Sequence, residues 1–307
     1  MPEDKNANIF RDLATLIEAG ISVLDAAKKV ALHHPKISAW PEVIKALASG
    51  QTLNKALATN GLISAYEKEI ISLSEFSGRL PQGLQTIASA YDIRRKRVSK
   101  LKSKLYLPIA ILVVAIIVSA ILSLAAPSTT GVKVSNFNIL LASTFWLALI
   151  YLFTQKLMNI ISKDSCDWLK TFQLFSRNDW YVAQFQQVVF GALLWQVKSG
   201  VDFKMGFIRV SKLLGVSALT KKLKQASRYC EQGLSVTQSS IKSKLPISDE
   251  FKQILLTAEQ SGQWEYSLEK YQQQQSILLE IKTSSIFDWM PKIYYVFATL
   301  TAISVIF

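Results

Sequence analysis

From Leu105 to Ala126 the chain reads LYLPIAILVVAIIVSAILSLAA, 22 residues without a charge. A helix needs about 20 apolar residues to cross a bilayer core. Such a segment must pair all its backbone polar groups internally, which favours a helix. The run is therefore expected to be a transmembrane helix that sends its two flanks to opposite sides. Pro108 falls in its first turn, where a missing N–H is tolerated. The turn-rich stretch PSTTGVKVSN follows, and FNILLASTFWLALIYLF (137–153) is expected to be a second span. A third apolar run, Ile293 to Phe307, would cover about 22 Å as a helix, against a core of about 30 Å. Trp289 and Met290 bring it closer, and a chain that stops inside its last span is one reading.

Charge sets the direction. Seven basic residues crowd the foot of the first run: Arg94, Arg95, Lys96, Arg97, Lys100, Lys102 and Lys104. Lys156, Lys163 and Lys170 follow the second run, whereas the connecting loop holds only Lys133. The positive-inside rule then puts residues 1–104 and 156–288 in the cytoplasm. The net charge of +13 could address nucleic acid, lipid or an acidic protein. The position of the cluster points to the bilayer, where each basic residue near anionic headgroups contributes about 1 kcal/mol. MPEDKNANIF shows no secretory signal. Cys166 and Cys230 have no CxxC spacing, so a disulfide framework and a zinc site are not implied.

The two polar halves read alike. FRDLATLIEAGISVLDAAKKV (10–30) and FGALLWQVKSGVDFKMGFIRV (190–210) each carry a helical apolar period interrupted by a glycine, Gly20 or Gly200. Ser22 or Asp25 can cap the next helix in the first, and Asp202 in the second. ALASGQTLNKAL (46–57) resembles RYCEQGLSVTQSSI (228–241), with Gly50 and Gly233 before the caps Thr52 and Ser235. SEFSGRLPQGL (74–84) matches AEQSGQWEYSL (258–268) through Glu75 with Gly78 and Glu259 with Gly262. Pro81 and Glu265 suit the start of a following helix, which would run into a span at Pro108 or Pro291. The fold expected is an all-α membrane protein. Two homologous cytoplasmic bundles of about six helices each alternate with three transmembrane helices. The boundaries are 1–104 for the first bundle, 105–126 for a span, 127–136 for the outer loop and 137–155 for a span. The second bundle is 156–288 and the last span 289–307.

LATLIEAGISVLDAA, SGQTLNKAL and SEFSGRL together resemble the GspF/PilC family of type II secretion and type IV pilus proteins. KLKSKLYLP resembles the family's Lys-Leu-x-x-Ala-Leu-x-Tyr-Pro. Lys100, Leu101, Leu105 and Pro108 fit it, while Lys104 and Leu107 depart. The second copy is weaker: IFDWMP keeps Pro291 alone. The resemblance implies a non-enzymatic, multi-pass platform in the bacterial inner membrane, with a cytoplasmic N-terminus and a periplasmic C-terminus. It also implies a cytoplasmic secretion or pilus ATPase, pilins or pseudopilins and other inner-membrane assembly proteins as partners. A homo-oligomer is expected, with no cofactor, metal or nucleic acid. Gly20, Gly50, Glu75, Gly78, Pro108, Gly200, Gly233, Glu259, Gly262 and Pro291 would be its structural motif residues.

The residues themselves carry no GxxxxGK[ST], GxGxxG or GxSxG motif. His33 and His34 are adjacent and point to different helix faces, so they do not share a metal. Glu75 and Glu259 each sit in a last helical turn, where a carboxylate meets the unfavourable end of the dipole at about 0.3–1 kcal/mol. A hydrogen bond from the backbone or a hydroxyl of a neighbouring helix would compensate, as would a metal or partner contact. A transporter or channel subunit is the alternative function. It would need charged groups inside the spans, which offer only residues such as Ser119, Asn138 and Thr144. The topology makes a direct prediction. A cysteine placed at Lys133 reacts with a membrane-impermeant maleimide added from outside; labelling only after the membrane is opened would reverse the orientation.

Overall fold

The structure, a computed structural model, describes residues 3–125, 179–215 and 218–306, with the isolated positions 152, 155 and 169. The expected loop 127–136 and second span, and the start of the second polar half, lie outside the described residues. Among the described residues there is helix and no strand. The first series is α1 (Glu3–Glu18), α2 (Val23–His33), α3 (Trp40–Ala48), α4 (Leu53–Thr59), α5 (Ala65–Phe76) and α6 (Leu80–Ala125). The second is α7 (Asp179–Lys198), α8 (Phe203–Leu213), α9 (Ala218–Glu231), α10 (Val236–Lys242), α11 (Asp249–Ser261) and α12 (Trp264–Ile306).

These helices begin and end where side-chain chemistry dictates. The Ser22 hydroxyl accepts the Asp25 N–H and opens α2; Thr52 accepts from Lys55 and opens α4. Ser64 and Glu67 close a reciprocal capping box on α5. Ser235 opens α10 and Ser248 opens α11. Asp202 holds the position before α8, but its carboxylate makes no capping hydrogen bond there, against the expectation. Where α1 stops, the Gly20 N–H bonds the Ile17 carbonyl and the Ile21 N–H the Leu16 carbonyl. Gly200 and Val201 repeat the pattern with Val197 and Gln196 at the end of α7. This closure needs a left-handed residue, and Gly20 (φ 83°) and Gly200 (φ 70°) supply it without a Cβ penalty.

The chain divides into two compact units. The first joins Met1–Ile93 with Asp164–Leu279 and holds two cores. One gathers Leu13, Val30, Val43, Leu57, Ile71 and Leu84 from the first series. The other gathers Phe185, Phe190, Phe207, Phe251, Leu255 and Leu268 from the second. Phe251 is fully buried between Phe190, at 4.4 Å between ring centres, and Tyr271, at 4.3 Å. Trp195 belongs to the second series, yet it packs into the core of the first. Its helix, α7, is buried nearly all round, from Tyr181 to Gln196.

A buried polar group lies beside the second core. Tyr271 Oη donates to Gln186 Oε1 at 2.7 Å, Gln275 Nε2 donates to the same oxygen at 3.2 Å, and Gln186 Nε2 donates to Ser248 Oγ at 3.1 Å. Burial pushes the Tyr271 phenol well above its ordinary range, so it stays a donor at any physiological pH.

The second unit comprises Arg94–Lys163 and Glu280–Phe307. Within it the Lys100 ammonium donates to Glu280 Oε1 at 2.8 Å. Counting only residues whose side chains are described, no helix is long and apolar enough to cross a membrane. Most side chains of 105–126 and 293–307 lie outside that set, although their backbone is helical through Ala125 and Ile306. Pro108 and Pro291 therefore stand inside continuous helices rather than in a first turn. Each removes one N–H donor from the ladder at that point.

The aromatic packing yields a stability test. Phe251→Ala is expected to lower unfolding free energy by about 3–5 kcal/mol. Phe76→Ala, at a side chain 79 % exposed, should change it by less than about 0.5 kcal/mol. Denaturant melts of the full chain in detergent, followed by far-UV circular dichroism, compare the two.

Candidate functional site

The stretch that occurs twice builds the same device twice. Glu75 sits in the last turn of α5, with its carboxylate turned away from its own helix. Glu75 Oε1 accepts the N–H of Leu53, the first residue of α4, at 2.8 Å. Glu259, in the last turn of α11, accepts the N–H of Val236, the first residue of α10, at 3.0 Å. The first N–H groups of a helix have no intrahelical acceptor. Thr52 and Ser235 satisfy one further along each helix, and the glutamates satisfy the first. A carboxylate at the unfavourable end of one helix dipole thus stands at the favourable end of another. Of the two ways open to offset the cost, the structure shows the hydrogen bond from a neighbouring helix.

Past each glutamate the chain turns through a glycine, Gly78 at φ 69° and Gly262 at φ 70°. Gly50 and Gly233 make the corresponding turn before α4 and α10, both at φ 82–83°. In each series the turn before the short helix and the turn after the glutamate are thus tied through one carboxylate.

The two copies also meet. Arg79 Nη1, one residue past Gly78, donates to Glu265 Oε1, three residues past Gly262, at 2.6 Å. Further along, Ser199 Oγ donates to the Leu73 carbonyl at 3.0 Å. Glu69 Oε1 accepts from Gln196 Nε2 at 3.1 Å and lies 3.5 Å from Arg209 Nη1. These contacts run between α5 and the turn after it in the first series and the α7–α8 and α12 segments of the second. Sequence reading did not find them, since partners up to 186 positions apart leave no local spacing.

The remaining expected site residues lie apart from this device. In the basic cluster, Lys100 pairs with Glu280, while Arg95, Lys96 and Lys102 are exposed. Arg94 is half-buried, and the side chains of Arg97 and Lys104 are outside the described set, as are those of Pro108 and Pro291. His33 is exposed at the end of α2, and His34 Nε2 lies 3.3 Å from Asp12 Oδ2. Among the described residues no three His, Cys, Asp or Glu side chains form a metal cluster. Burial raises the Cys230 thiol above its usual range. The described geometry orients helices.

Residues 9–126 match the family model for type II secretion system (T2SS), protein F. The chain is 29 % identical over 143 residues to a protein transport protein HofC homolog of Escherichia coli K12, covering 44 % of this chain and 35 % of that one. It is 31 % identical over 121 residues to the type 4 fimbrial assembly protein PilC of Pseudomonas putida, covering 38 % and 29 %. With type II secretion system protein F of Vibrio cholerae it shares 29 % over 146 residues, 46 % and 36 % of the two chains. The chain thus spans about a third of the length of these curated relatives.

The two carboxylates are separable. Glu75→Ala and Glu259→Ala are each expected to cost about 0.5–2 kcal/mol, the usual range for a lost helix cap. Glu75→Gln, which keeps an oxygen acceptor, should cost less than Glu75→Ala. Because the two devices cap different helices, the double alanine variant should show near-additive loss. A melting curve for Glu75→Ala that overlays the parent would dismiss the capping role.

Proposed function

Because residues 9–126 match the family model for type II secretion system protein F, we propose that the chain is a non-enzymatic platform of the bacterial inner membrane. It works at the base of a type IV pilus or type II secretion machine. It couples a cytoplasmic assembly ATPase to the polymerisation of pilins or pseudopilins, self-associates, and contacts other inner-membrane assembly proteins. The observation that carries this reading is the match to that family over the stretch holding the first Ser-Gly motif. The relatives' names add type 4 fimbrial assembly and type II secretion.

In this reading residues 1–104 and 156–288 are cytoplasmic. Residues 105–126, 137–155 and 289–307 cross the bilayer, and 127–136 face the periplasm, as does the C-terminus. The basic residues 94–104 grip the inner headgroups. The motif glycines, both glutamates, Pro108 and Pro291 are structural. The supporting chemistry is the absence of charge over 105–126 beside seven basic residues, together with two described series of helices held by caps.

A rigid, capped bundle suits a part that transmits force between partners. Crosslinking in the native membrane followed by purification of the full chain tests the role. Recovery of a secretion-type ATPase together with pilin-like proteins is the expected result. Ion flux through the purified protein in liposomes, with neither partner recovered, would replace the platform with the channel alternative.

A further inference from the structure

The two series of helices differ in charge at their third member. In the first series α3 carries one acid, Glu42, and one base, Lys45. In the second, α9 carries Lys221, Lys222, Lys224 and Arg228 against a single acid, Glu231, which is held by Lys204 at 2.6 Å. Lys221, Lys224 and Arg228 are exposed and fall at i, i+3 and i+7, one face of the helix. They span about 10 Å at helical rise. Lys242, at the end of α10, brings its ammonium 4.9 Å from the Tyr229 ring centre and so adds a fourth cation beside this face. Among the described residues none of the four has a carboxylate within ion-pair distance.

We propose that this basic face of α9, with Lys242 at its edge, is a docking surface for an acidic face of a partner protein. Charge complementarity selects the partner's sign. The neighbouring chemistry selects its class. Every large apolar side chain of α9 is at least partly covered, so the helix has no apolar face with which to enter a bilayer. No aromatic ring is exposed on α9 for base stacking. Ile241, 49 % exposed beside Lys242, supplies an apolar contact of the kind a protein interface uses at its rim. Gln225 and Tyr229, already joined at 2.9 Å, offer further polar groups along the neighbouring row.

The surface is independent of the platform reading, because it is tested on the purified chain alone. The probe is a fluorescent helical peptide bearing glutamate at i, i+3 and i+7, titrated against the full chain in phosphatidylcholine nanodiscs. Lys221→Glu/Lys224→Glu/Arg228→Glu is expected to weaken its binding at least tenfold. The charge-matched Lys29→Glu/Lys36→Glu/Lys55→Glu, on exposed positions of the first series, should leave binding within about twofold of the parent, as expected for distant charges under salt screening. Added salt should weaken the parent and the charge-matched variant alike. Circular dichroism melts check folding. If the reversed variant does not fold, the triple glutamine variant carries the same test, with a loss of at least threefold. Equal peptide affinity for the parent and a folded α9 variant overturns the proposal. So does a loss confined to phosphatidylglycerol vesicles or a 20-nucleotide DNA, which would assign the face to lipid or nucleic acid.

Discussion

The first compact unit depends on a helix with no solvent face. α7 is buried along most of its length, from Tyr181 to Gln196. One side packs with Phe207 and Phe251; another places Trp195 among Leu13, Ile71 and Leu84. A helix buried on every side draws on both cores, so neither series is complete without it. Polar groups had to be accommodated in that position. Gln186 accepts from Tyr271 and Gln275 and donates to Ser248, and Gln196 donates to Glu69 while its own carbonyl oxygen is buried without a partner. Buried polar groups cost little when paired and much when not, so these partners fix the azimuth of α7 more sharply than apolar packing does.

The paired glutamates perform a second kind of fixing. A cap from the same chain segment, such as Thr52, shapes only its own helix. A carboxylate from another helix ties two helix ends together: α5 to α4 through Glu75, and α11 to α10 through Glu259. Short helices of seven residues are unstable alone. Here each is held at its start by two side chains and along one face by the core. That ties these segments into the packing of their neighbours.

Much of this was legible from local pattern. The cap residues Ser22, Thr52 and Ser235, the turn glycines and the unfavourable placement of Glu75 and Glu259 all follow from rules acting within a few residues, and the helices form where those rules place them. Four features escaped. Asp202 has the right identity for a cap without making the bond. Pro108 was expected to begin a helix, because a proline costs least there, but α6 is already continuous from Leu80. The burial of α7 on nearly every side could not be read from its apolar period, which marks one packing face and not a second. The bonds that join the series, Arg79 to Glu265 and Ser199 to Leu73, link positions far apart along the chain and are invisible to any window.

Arg79 and Glu265 occupy places where the two copies of the motif disagree. The position matching Arg79 in the second copy is Gln263, and that matching Glu265 in the first is Pro81. Glu69 likewise faces the second series from a position whose counterpart is Gln253. What the copies share builds each series; what separates them makes the joint. A gene carrying two such repeats is exposed to recombination that copies one onto the other. Here such an exchange would leave the caps and turns intact while erasing the contacts that let the two halves recognise each other. The differences between the copies thus carry structural information of their own, distinct from that in their common pattern.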